Sequence, residues 1–278
     1  MNKIKAIIND IVHKLRTKEM VPIIVPTDKG ELFCNKVALI SGGSGGIGKA
    51  IAQELINEGG KVIIAGTNNK KIEKIIDELG ESNLKGLQMD ITNVASFEEK
   101  ICMAESLFDN NSIDILINCA GVNDSRDFLH VTEEIYDKVL DINTKGTYFL
   151  SQVVAKHMIS KNIKGHILNV SSSSALRPAS TPYIISKEAI SGMTKGMADV
   201  LIKYGIIVNA IAPGPVATSM VGKNDMSEIE HITCPIGRYA MPSEIAHLAG
   251  YMVSDYGNLI VGDTFYITGG SGTISLHK

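Results

Sequence analysis

The stretch VALISGGSGGIGKA at residues 37–50 decides the fold class of this 278-residue chain. A short apolar run leads into a glycine-rich turn, and an apolar periodicity typical of a helix follows at 46–57. Glycines in such a turn allow a tight bend and let the backbone approach a pyrophosphate closely. The helix N-terminus then presents free N–H groups and the positive end of its dipole to the anion. The turn therefore predicts a dinucleotide-binding loop with the candidate residues Gly42, Ser44, Gly45, Gly46, Ile47 and Gly48.

The same turn also matches the beginning of a nucleoside triphosphate loop, because residues 43–49 read G-x-x-x-x-G-K. That motif requires Ser or Thr at the next position to bind Mg²⁺. Ala50 stands there instead. The sequence of the turn therefore favours a dinucleotide-binding loop over a nucleoside triphosphate loop.

Short apolar runs and longer helical patterns alternate along the rest of the chain. The predicted strands are 36–40, 61–65, 85–89, 113–117, 165–170, 206–211 and 264–268, and the predicted helices are 46–57, 68–79, 94–108, 133–160, 183–203 and 242–254. This alternation indicates βαβ units, which build a parallel sheet through right-handed crossovers. We expect an α/β fold over 36–278, a Rossmann-like, doubly wound, seven-stranded parallel sheet in three layers.

An N-terminal extension, residues 1–35, precedes this domain. Its first 17 residues place six apolar side chains on one face of a helix: Ile4, Ile7, Ile8, Ile11, Val12 and Leu15. Pro22 and Pro26 then mark an extended connector. We expect the helix to pack on protein; the alternative is a helix at a membrane surface, which usually carries the Trp or Phe that this segment lacks.

Composition excludes several classes of protein. Hydrophobic residues make up 44% of the chain, too many for a disordered protein, and 27 basic against 30 acidic residues leave no electrostatic footprint for nucleic acid. No apolar run approaches the roughly 20 residues that span a bilayer. The four cysteines form no C-x-x-C pair, so no metal site is expected, and a reducing cytoplasm is the simplest location.

The position that would bind the adenosine ribose carries no acidic residue. A carboxylate about 20 residues after the glycine-rich turn would bind the ribose hydroxyls of NAD. Gly66 stands there, followed by Thr67 and Asn68 as candidate cofactor contacts, with Lys70 and Lys71 close by. No carboxylate would repel a 2′-phosphate, so the sequence favours NADP(H) over NAD(H). The usual arginine partner of that phosphate is also absent, and NAD(H) stays possible.

Tyr183 and Lys187 lie four residues apart and share one face of a predicted helix. An ammonium near a phenol favours the phenolate, and lowering a Tyr pKa from 10 to about 7 takes roughly 4 kcal/mol. A phenol with such a pKa exchanges a proton with a carbonyl or alcohol oxygen. The residues 171–174, 118–121 and 213–218 follow predicted strands, at the sheet edge where ligands bind.

From about Lys36 to Ile267 the chain resembles the short-chain dehydrogenase/reductase family in its single-domain branch. The resemblance rests on the glycine-rich turn, Asp90-Ile91, Asn118-Cys119-Ala120-Gly121, Asn143, Ser172, Tyr183 with Lys187, and Pro213-Gly214 with Thr218. It implies an enzyme that interconverts a ketone and a secondary alcohol of a small molecule with NAD(P)(H). It also implies a dimer or tetramer, paired through the helices at 133–160 and 183–203.

The resemblance also implies roles for these residues. Tyr183 is the acid/base, Lys187 lowers its pKa and binds the nicotinamide ribose, and Ser172, one of four consecutive serines, binds the substrate oxygen. Asn143 supports a water that links Lys187 to solvent. The expected cofactor contacts besides the turn, Thr67, Asn68, Tyr183 and Lys187 are Asp90, Ile91, Asn118, Ala120, Gly121, Pro213, Gly214, Val216 and Thr218.

Two alternatives to a general ketone reductase stay open. One is a 3-oxoacyl-(acyl carrier protein) reductase, although a net charge of −3 gives no positive support for binding an acidic carrier. The other is a dinucleotide sensor without turnover, which would not need a proton relay. The substrate pocket is expected from 122–131, 174–182 and the irregular span 218–241, where Met220, Val221, Ile229 and Ile232 suggest an apolar lid. Arg126, Arg177 and Arg238 are candidates for an anionic substrate.

Overall fold

The computed structural model describes residues 30–108, 112–124, 126–218 and 229–274. Its elements are β1 (Val37–Ser41), α1 (Gly46–Asn57), β2 (Lys61–Gly66), α2 (Asn69–Leu79), β3 (Leu84–Gln88), α3 (Phe97–Ser106), β4 (Ile115–Asn118), α4 (Glu133–Leu140), a π-helical turn (Asp141–Gly146), α5 (Thr147–Ser160), β5 (His166–Val170), α6 (Pro182–Leu201), β6 (Ile207–Pro213), α7 (Pro242–Val253) and β7 (Thr264–Ile267). The seven predicted strands are confirmed, each end within two residues.

All seven strands pair in parallel, in the order β3-β2-β1-β4-β5-β6-β7. The chain moves outward from β1 to β3, then crosses back to place β4 on the other side of β1. The strand order therefore reverses between β1 and β4. In open α/β sheets this reversal opens a crevice outside the carboxyl ends of the strands, where ligands bind.

Each face of the sheet carries its own hydrophobic core. Alternate side chains of a strand point to opposite faces, so Leu39 belongs to one core and Ile40 to the other. The helices α3 and α5 cover the first face, while α1, α2 and α7 cover the second. The expected three-layer arrangement is confirmed.

The predicted helix at 133–160 is not continuous, because the π-helical turn separates α4 from α5. At the end of that turn, a Cβ on Gly146 would lie 2.5 Å from the carbonyl oxygen of Ile91. The backbone passes so closely that only glycine fits. π-turns inside helices are frequent at functional sites, and this one contains Asn143.

The described part of the N-terminal extension, residues 30–35, packs on the domain. Phe33 is 2% exposed within the second core, and its N–H donates to the carbonyl oxygen of Glu58 at 2.8 Å. The helix predicted at 1–17 lies outside the described residues. Within the described part of the chain, no helix is long and apolar enough to cross a membrane.

Candidate active site

The glycine-rich turn joins β1 to α1 at the switch point of the sheet. Gly42 has a φ of +68°, and a Cβ on it would lie 2.6 Å from the Cα of Ala120. A Cβ on Gly48 would lie 2.5 Å from the carbonyl oxygen of Gly42. Gly45, the residue before α1, has no side chain that could cap the N–H groups of the first turn of the helix. The turn fits the pyrophosphate of a dinucleotide, because side chains would fill the space that its backbone needs.

The segment after β6 meets this turn from the other side. A Cβ on Gly46 would lie 2.6 Å from Cγ2 of Thr218. Val216 is buried and pairs with Ala240 in a parallel bridge, which anchors the segment. The structure thus brings Thr218 to the glycine-rich turn. Gly214 packs against Thr268, close enough that a Cβ would lie 2.5 Å from its carbonyl oxygen.

The residues expected at the adenosine end follow β2 and β3. Thr67 and Asn68 are exposed, and Asn68 caps α2 by accepting from the N–H of Lys71 at 3.1 Å. Asp90 is also exposed, and its Oδ1 accepts from the backbone and hydroxyl of Thr92 at 2.9 and 2.8 Å. Ile91 is buried against the π-helical turn. Asn68 and Asp90 therefore have local structural bonds besides any contact with a cofactor.

Asn118, at the end of β4, braces the interior. Its Nδ2 donates to Oγ of Ser151 at 2.8 Å and to Oδ1 of Asn169 at 2.9 Å. Asn169 in turn donates to Oγ1 of Thr194 at 2.9 Å. This buried chain of polar groups ties β4 and β5 to α5 and α6.

The residues after Asn118 run beside the catalytic groups. A Cβ on Gly121 would lie 3.4 Å from Oδ1 of Asn143 and 3.5 Å from Nζ of Lys187. Cys119 replaces the second Asn of the family pattern, and burial raises its pKa to about 11. A thiol with this pKa stays protonated, which fits a packing role.

Asn143 is fully buried in the π-helical turn, where its carboxamide is fixed from two directions. Its Oδ1 accepts from the N–H of Val122 at 2.8 Å, and its Nδ2 donates to the carbonyl oxygen of Val122 at 2.9 Å. The same Nδ2 donates to Oγ of Ser186 at 3.0 Å. Ser186 donates in turn to the carbonyl oxygen of Tyr183 at 2.7 Å.

Ser186 thus connects Asn143 to the first turn of α6, and the sequence reasoning missed it. It is fully buried and stands next to Lys187. Its position three residues after Tyr183, on the same helix face, was the available signal. A serine inside a helix usually has only a structural role, so its position alone did not identify Ser186 as part of the site.

Only one of the four consecutive serines faces Tyr183. Ser171 is buried and donates to the carbonyl oxygen of Lys187 at 2.8 Å, and Ser173 is buried as well. Ser172 caps a single 3₁₀ turn, Ser173–Leu176, and its hydroxyl makes the side-chain hydrogen bond that lowers the pKa of Tyr183. Ser172 is thus in hydrogen-bond contact with the Tyr183 phenol.

The expected lowering of the Tyr183 pKa by Lys187 is absent. Burial raises the pKa of the phenol, and the hydrogen bond with Ser172 offsets only part of that rise. Nζ of Lys187 lies 5.6 Å from the centroid of the phenol ring and donates to the carbonyl oxygen of Val170 at 2.9 Å. Burial also lowers the pKa of Lys187 to about 8, which weakens its average positive charge. Desolvation outweighs the lysine charge at this distance.

Part of the expected substrate pocket is described. Leu176 and Ile232 are exposed, while Met220 and Val221 of the expected lid lie outside the described residues. Ile229 is partly buried, and the segment that follows it turns back through a bridge between Glu230 and Arg238.

Comparison with known proteins agrees with this geometry. The sequence profile of the family described as short chain dehydrogenase matches residues 36–228. A 3-oxoacyl-(acyl-carrier-protein) reductase of Rickettsia typhi is 34% identical over 242 residues, which are 86% of this chain and 97% of the relative. An NAD-dependent glycerol dehydrogenase of Listeria innocua is 32% identical over 248 residues, with 87% and 96% covered.

A solved structure shows the same fold. An actinorhodin polyketide ketoreductase variant with NADPH matches with a TM-score of 0.78 at 27% identity, over 86% of this chain and 98% of that chain. The profile match covers more than half of the chain and includes the glycine-rich turn, Tyr183 and Lys187. The chain therefore belongs to the short-chain dehydrogenase/reductase family and is an NAD(P)-dependent oxidoreductase that interconverts carbonyl and alcohol groups.

Proposed function

We propose that the protein reduces a small ketone to a secondary alcohol with NADPH, and that Tyr183 is the proton donor. The observation that carries the proposal is the convergence of Ser172, Tyr183, Lys187 and Asn143 at the carboxyl edge of the sheet, beside a glycine cradle. A non-catalytic dinucleotide sensor would not need this assembly.

The bound dinucleotide supplies the hydride that reaches the carbonyl carbon. The phenol of Tyr183 gives its proton to the carbonyl oxygen, and the hydroxyl of Ser172 donates a hydrogen bond to the same oxygen. The raised pKa of the buried phenol keeps it protonated and ready to donate. The ammonium of Lys187 stabilises the phenolate that forms, since an opposite charge nearby favours the ionised phenol.

Asn143 and Ser186 keep this arrangement in place. Asn143 holds the segment at Val122 against the π-helical turn, and Ser186 fixes the carbonyl of Tyr183 at the start of α6. Both residues are buried, so their bonds are shielded from competing water.

The role of the phenol is tested with Tyr183→Phe. This variant should lose turnover on an accepted ketone while its affinity for the reduced dinucleotide changes little, because Tyr183 is one of many expected cofactor contacts and the phenol is needed for proton transfer. Lys187→Ala should impair both. Retention of most of the activity in Tyr183→Phe would show that the site is wrongly assigned.

The preference for NADPH is supported by the charges beside β2. Gly66 provides no carboxylate, and Lys70 and Lys71 are exposed with no ion pair to any described residue. The solved ketoreductase structure contains NADPH, while the glycerol dehydrogenase relative is NAD-dependent. Similarity to these proteins therefore does not decide between the two cofactors.

Fluorescence titration with NADPH and NADH tests the preference directly. NADPH should bind more tightly, and the difference should shrink as salt rises. In the double variant Lys70→Gln/Lys71→Gln, NADPH affinity should fall while NADH affinity stays the same. Tighter binding of NADH by the wild-type protein would refute the preference.

A homo-oligomer is supported by an apolar groove between α5 and α6. The groove has a volume of about 420 Å³, and its wall includes Tyr148, Met193, Met197 and Val200. Two copies related by a two-fold axis would bury these side chains against each other. The outer strand β7 exposes Phe265 and Tyr266, which gives a second surface for a tetramer. Light scattering should show a dimer or tetramer at micromolar concentration.

A 3-oxoacyl-(acyl carrier protein) reductase is the second candidate, supported by the named relative from Rickettsia typhi. Turnover of an acetoacetyl-carrier protein at a much higher kcat/KM than of simple ketones would favour it over the general reductase.

The cytoplasmic location is supported by the four cysteines, all of which are free thiols in the structure.

A further inference from the structure

The three arginines near the expected substrate pocket differ in their partners. Nη1 of Arg126 lies 3.0 Å from Oδ2 of Asp124. Arg238 makes two hydrogen bonds of 2.7 Å, one to each carboxylate oxygen of Glu244. Arg177 forms no ion pair with any carboxylate of the described residues. Two of the three positive charges are thus neutralised within the fold, while the third is available.

Arg177 lies at the end of the short segment that begins with Ser172. It directly follows the 3₁₀ turn that Ser172 caps, and its N–H donates to the carbonyl oxygen of Ser174 at 3.0 Å. Tyr183 lies six positions further along the chain. Its Nη2 reaches Oγ of Ser271 at 3.3 Å, in the turn that follows β7.

That turn fixes the wall around Arg177. A Cβ on Gly272 would lie 3.0 Å from the carbonyl oxygen of Ser173 and 3.6 Å from the Cβ of Leu176, so the turn packs directly on the segment after β5. Arg177 therefore stands on the β5–β7 side of the sheet edge. The glycine-rich turn for the pyrophosphate follows β1, on the other side of β4. One strand, β4, lies between the strand that leads to Arg177 and the strand that leads to the glycine-rich turn.

The hydrogen bond with Ser271 leaves most of the guanidinium unsatisfied. A guanidinium has five N–H donors in a planar fork that matches a carboxylate or phosphate. One long bond to a neutral hydroxyl uses a single donor, and no carboxylate among the described residues neutralises the charge. The side chain is exposed, so an incoming ligand can reach the remaining donors.

We infer that Arg177 binds an anionic group, a carboxylate or a phosphate, on the molecule whose ketone reacts between Ser172 and Tyr183. Arg177 is then a specificity-determining residue, and the substrate class is an anionic ketone. The inference rests on the proposed ketone reduction at this site.

Two matched pairs of ketones test the inference and distinguish the source of the anion. Acetoacetate is compared with its methyl ester for a carboxylate, and acetoacetyl-coenzyme A with acetoacetyl-N-acetylcysteamine for a phosphate. The wild-type protein, Arg177→Gln, Arg177→Lys and the control Arg126→Gln are assayed on all four. The control removes an arginine that Asp124 already neutralises.

Arg177→Gln should lower kcat/KM roughly fivefold to tenfold for the anionic member of one pair, through KM, and leave its neutral partner unchanged. Arg177→Lys should keep part of the preference, since it keeps the charge but loses the fork. About 0.5 M salt should weaken the preference of the wild-type protein. Arg126→Gln should behave as the wild type.

Three results would overturn the inference. One is an equal loss on both members of a pair, which would mark Arg177 as merely structural. Another is no loss on either anionic member. The third is a wild-type preference for both neutral members. Reduction of none of the four compounds with either cofactor would contradict the proposed function itself, and the inference with it.

Discussion

His166 should make the protein sensitive to acid in a defined pH range. The side chain is 9% exposed at the start of β5, and burial lowers its pKa from 6.5 to about 4. Its Nδ1 has no hydrogen-bond partner among the described residues, and Asn258 accepts a hydrogen bond from the ring. A proton added to Nδ1 would be a buried donor without an acceptor, so the folded protein resists protonation.

The pKa difference fixes the sign and size of the effect. Between pH 6.5 and 4 the unfolded chain binds a proton at His166 that the folded chain does not, so this contribution to stability is complete above pH 6.5 and is lost as pH falls. At pH 5 the loss relative to pH 7 is about 2 kcal/mol, and its limit below pH 4 is about 3.4 kcal/mol.

Urea denaturation at pH 7 and pH 5, at one fixed protein concentration, measures this loss. His166→Gln keeps a neutral donor toward Asn258 and removes the titrating group. Its free energy of unfolding should depend on pH less than that of the wild type, by about 2 kcal/mol over this interval. His247→Gln is the control, because the imidazole of His247 is 68% exposed and its ion pair with Glu54 contributes little.

The result that would refute the reasoning is a His166→Gln variant with the same pH dependence as the wild type. It would mean that His166 is protonated in the folded protein near pH 6, through an acceptor for Nδ1 such as a water. An equal reduction of the pH dependence in His247→Gln would equally show that the effect is not specific to the buried ring.

Three further predictions concern the site and the groove. Because burial lowers the pKa of Lys187 to about 8, its ammonium is present below that value, and kcat/KM for ketone reduction should fall as pH rises through about 8; a profile flat to pH 10 would contradict this. Ser186→Ala removes the acceptor of one Asn143 N–H and should lower both kcat and, by about 1–3 kcal/mol, the free energy of unfolding. Ser254→Ala, at a buried serine whose hydroxyl donates to the carbonyl oxygen of Tyr251, should keep kcat, and equal losses of kcat in the two variants would remove Ser186 from the positioning role. Val200→Asp in the groove should shift light scattering toward the monomer, whereas Met103→Asp, on an exposed face of α3 outside the groove, should not.

The sequence by itself determined the sheet and the general location of the site. Apolar runs of five or six residues, separated by helical periodicity, permit little besides βαβ units, because each buried parallel strand must be apolar on both faces. The need for glycine in the turn has a steric reason, because a Cβ on Gly42, Gly46 or Gly48 would clash with neighbouring atoms. The order of the chemical motifs along the chain was also readable, since each follows a predicted strand.

Only the tertiary structure decided what depends on residues far apart in the chain. The π-helical turn at 141–146 interrupts the predicted helix and brings Gly146 against Ile91, and no local sequence pattern indicates that contact. Whether an arginine is neutralised depends on whether folding brings a carboxylate near it. Arg238 has such a partner in Glu244, whereas Arg177 bonds only the hydroxyl of Ser271 among the described side chains. The pKa of Tyr183 rises and does not fall, because desolvation is set by everything packed around the phenol, whereas the i,i+4 spacing shows only its nearest charge.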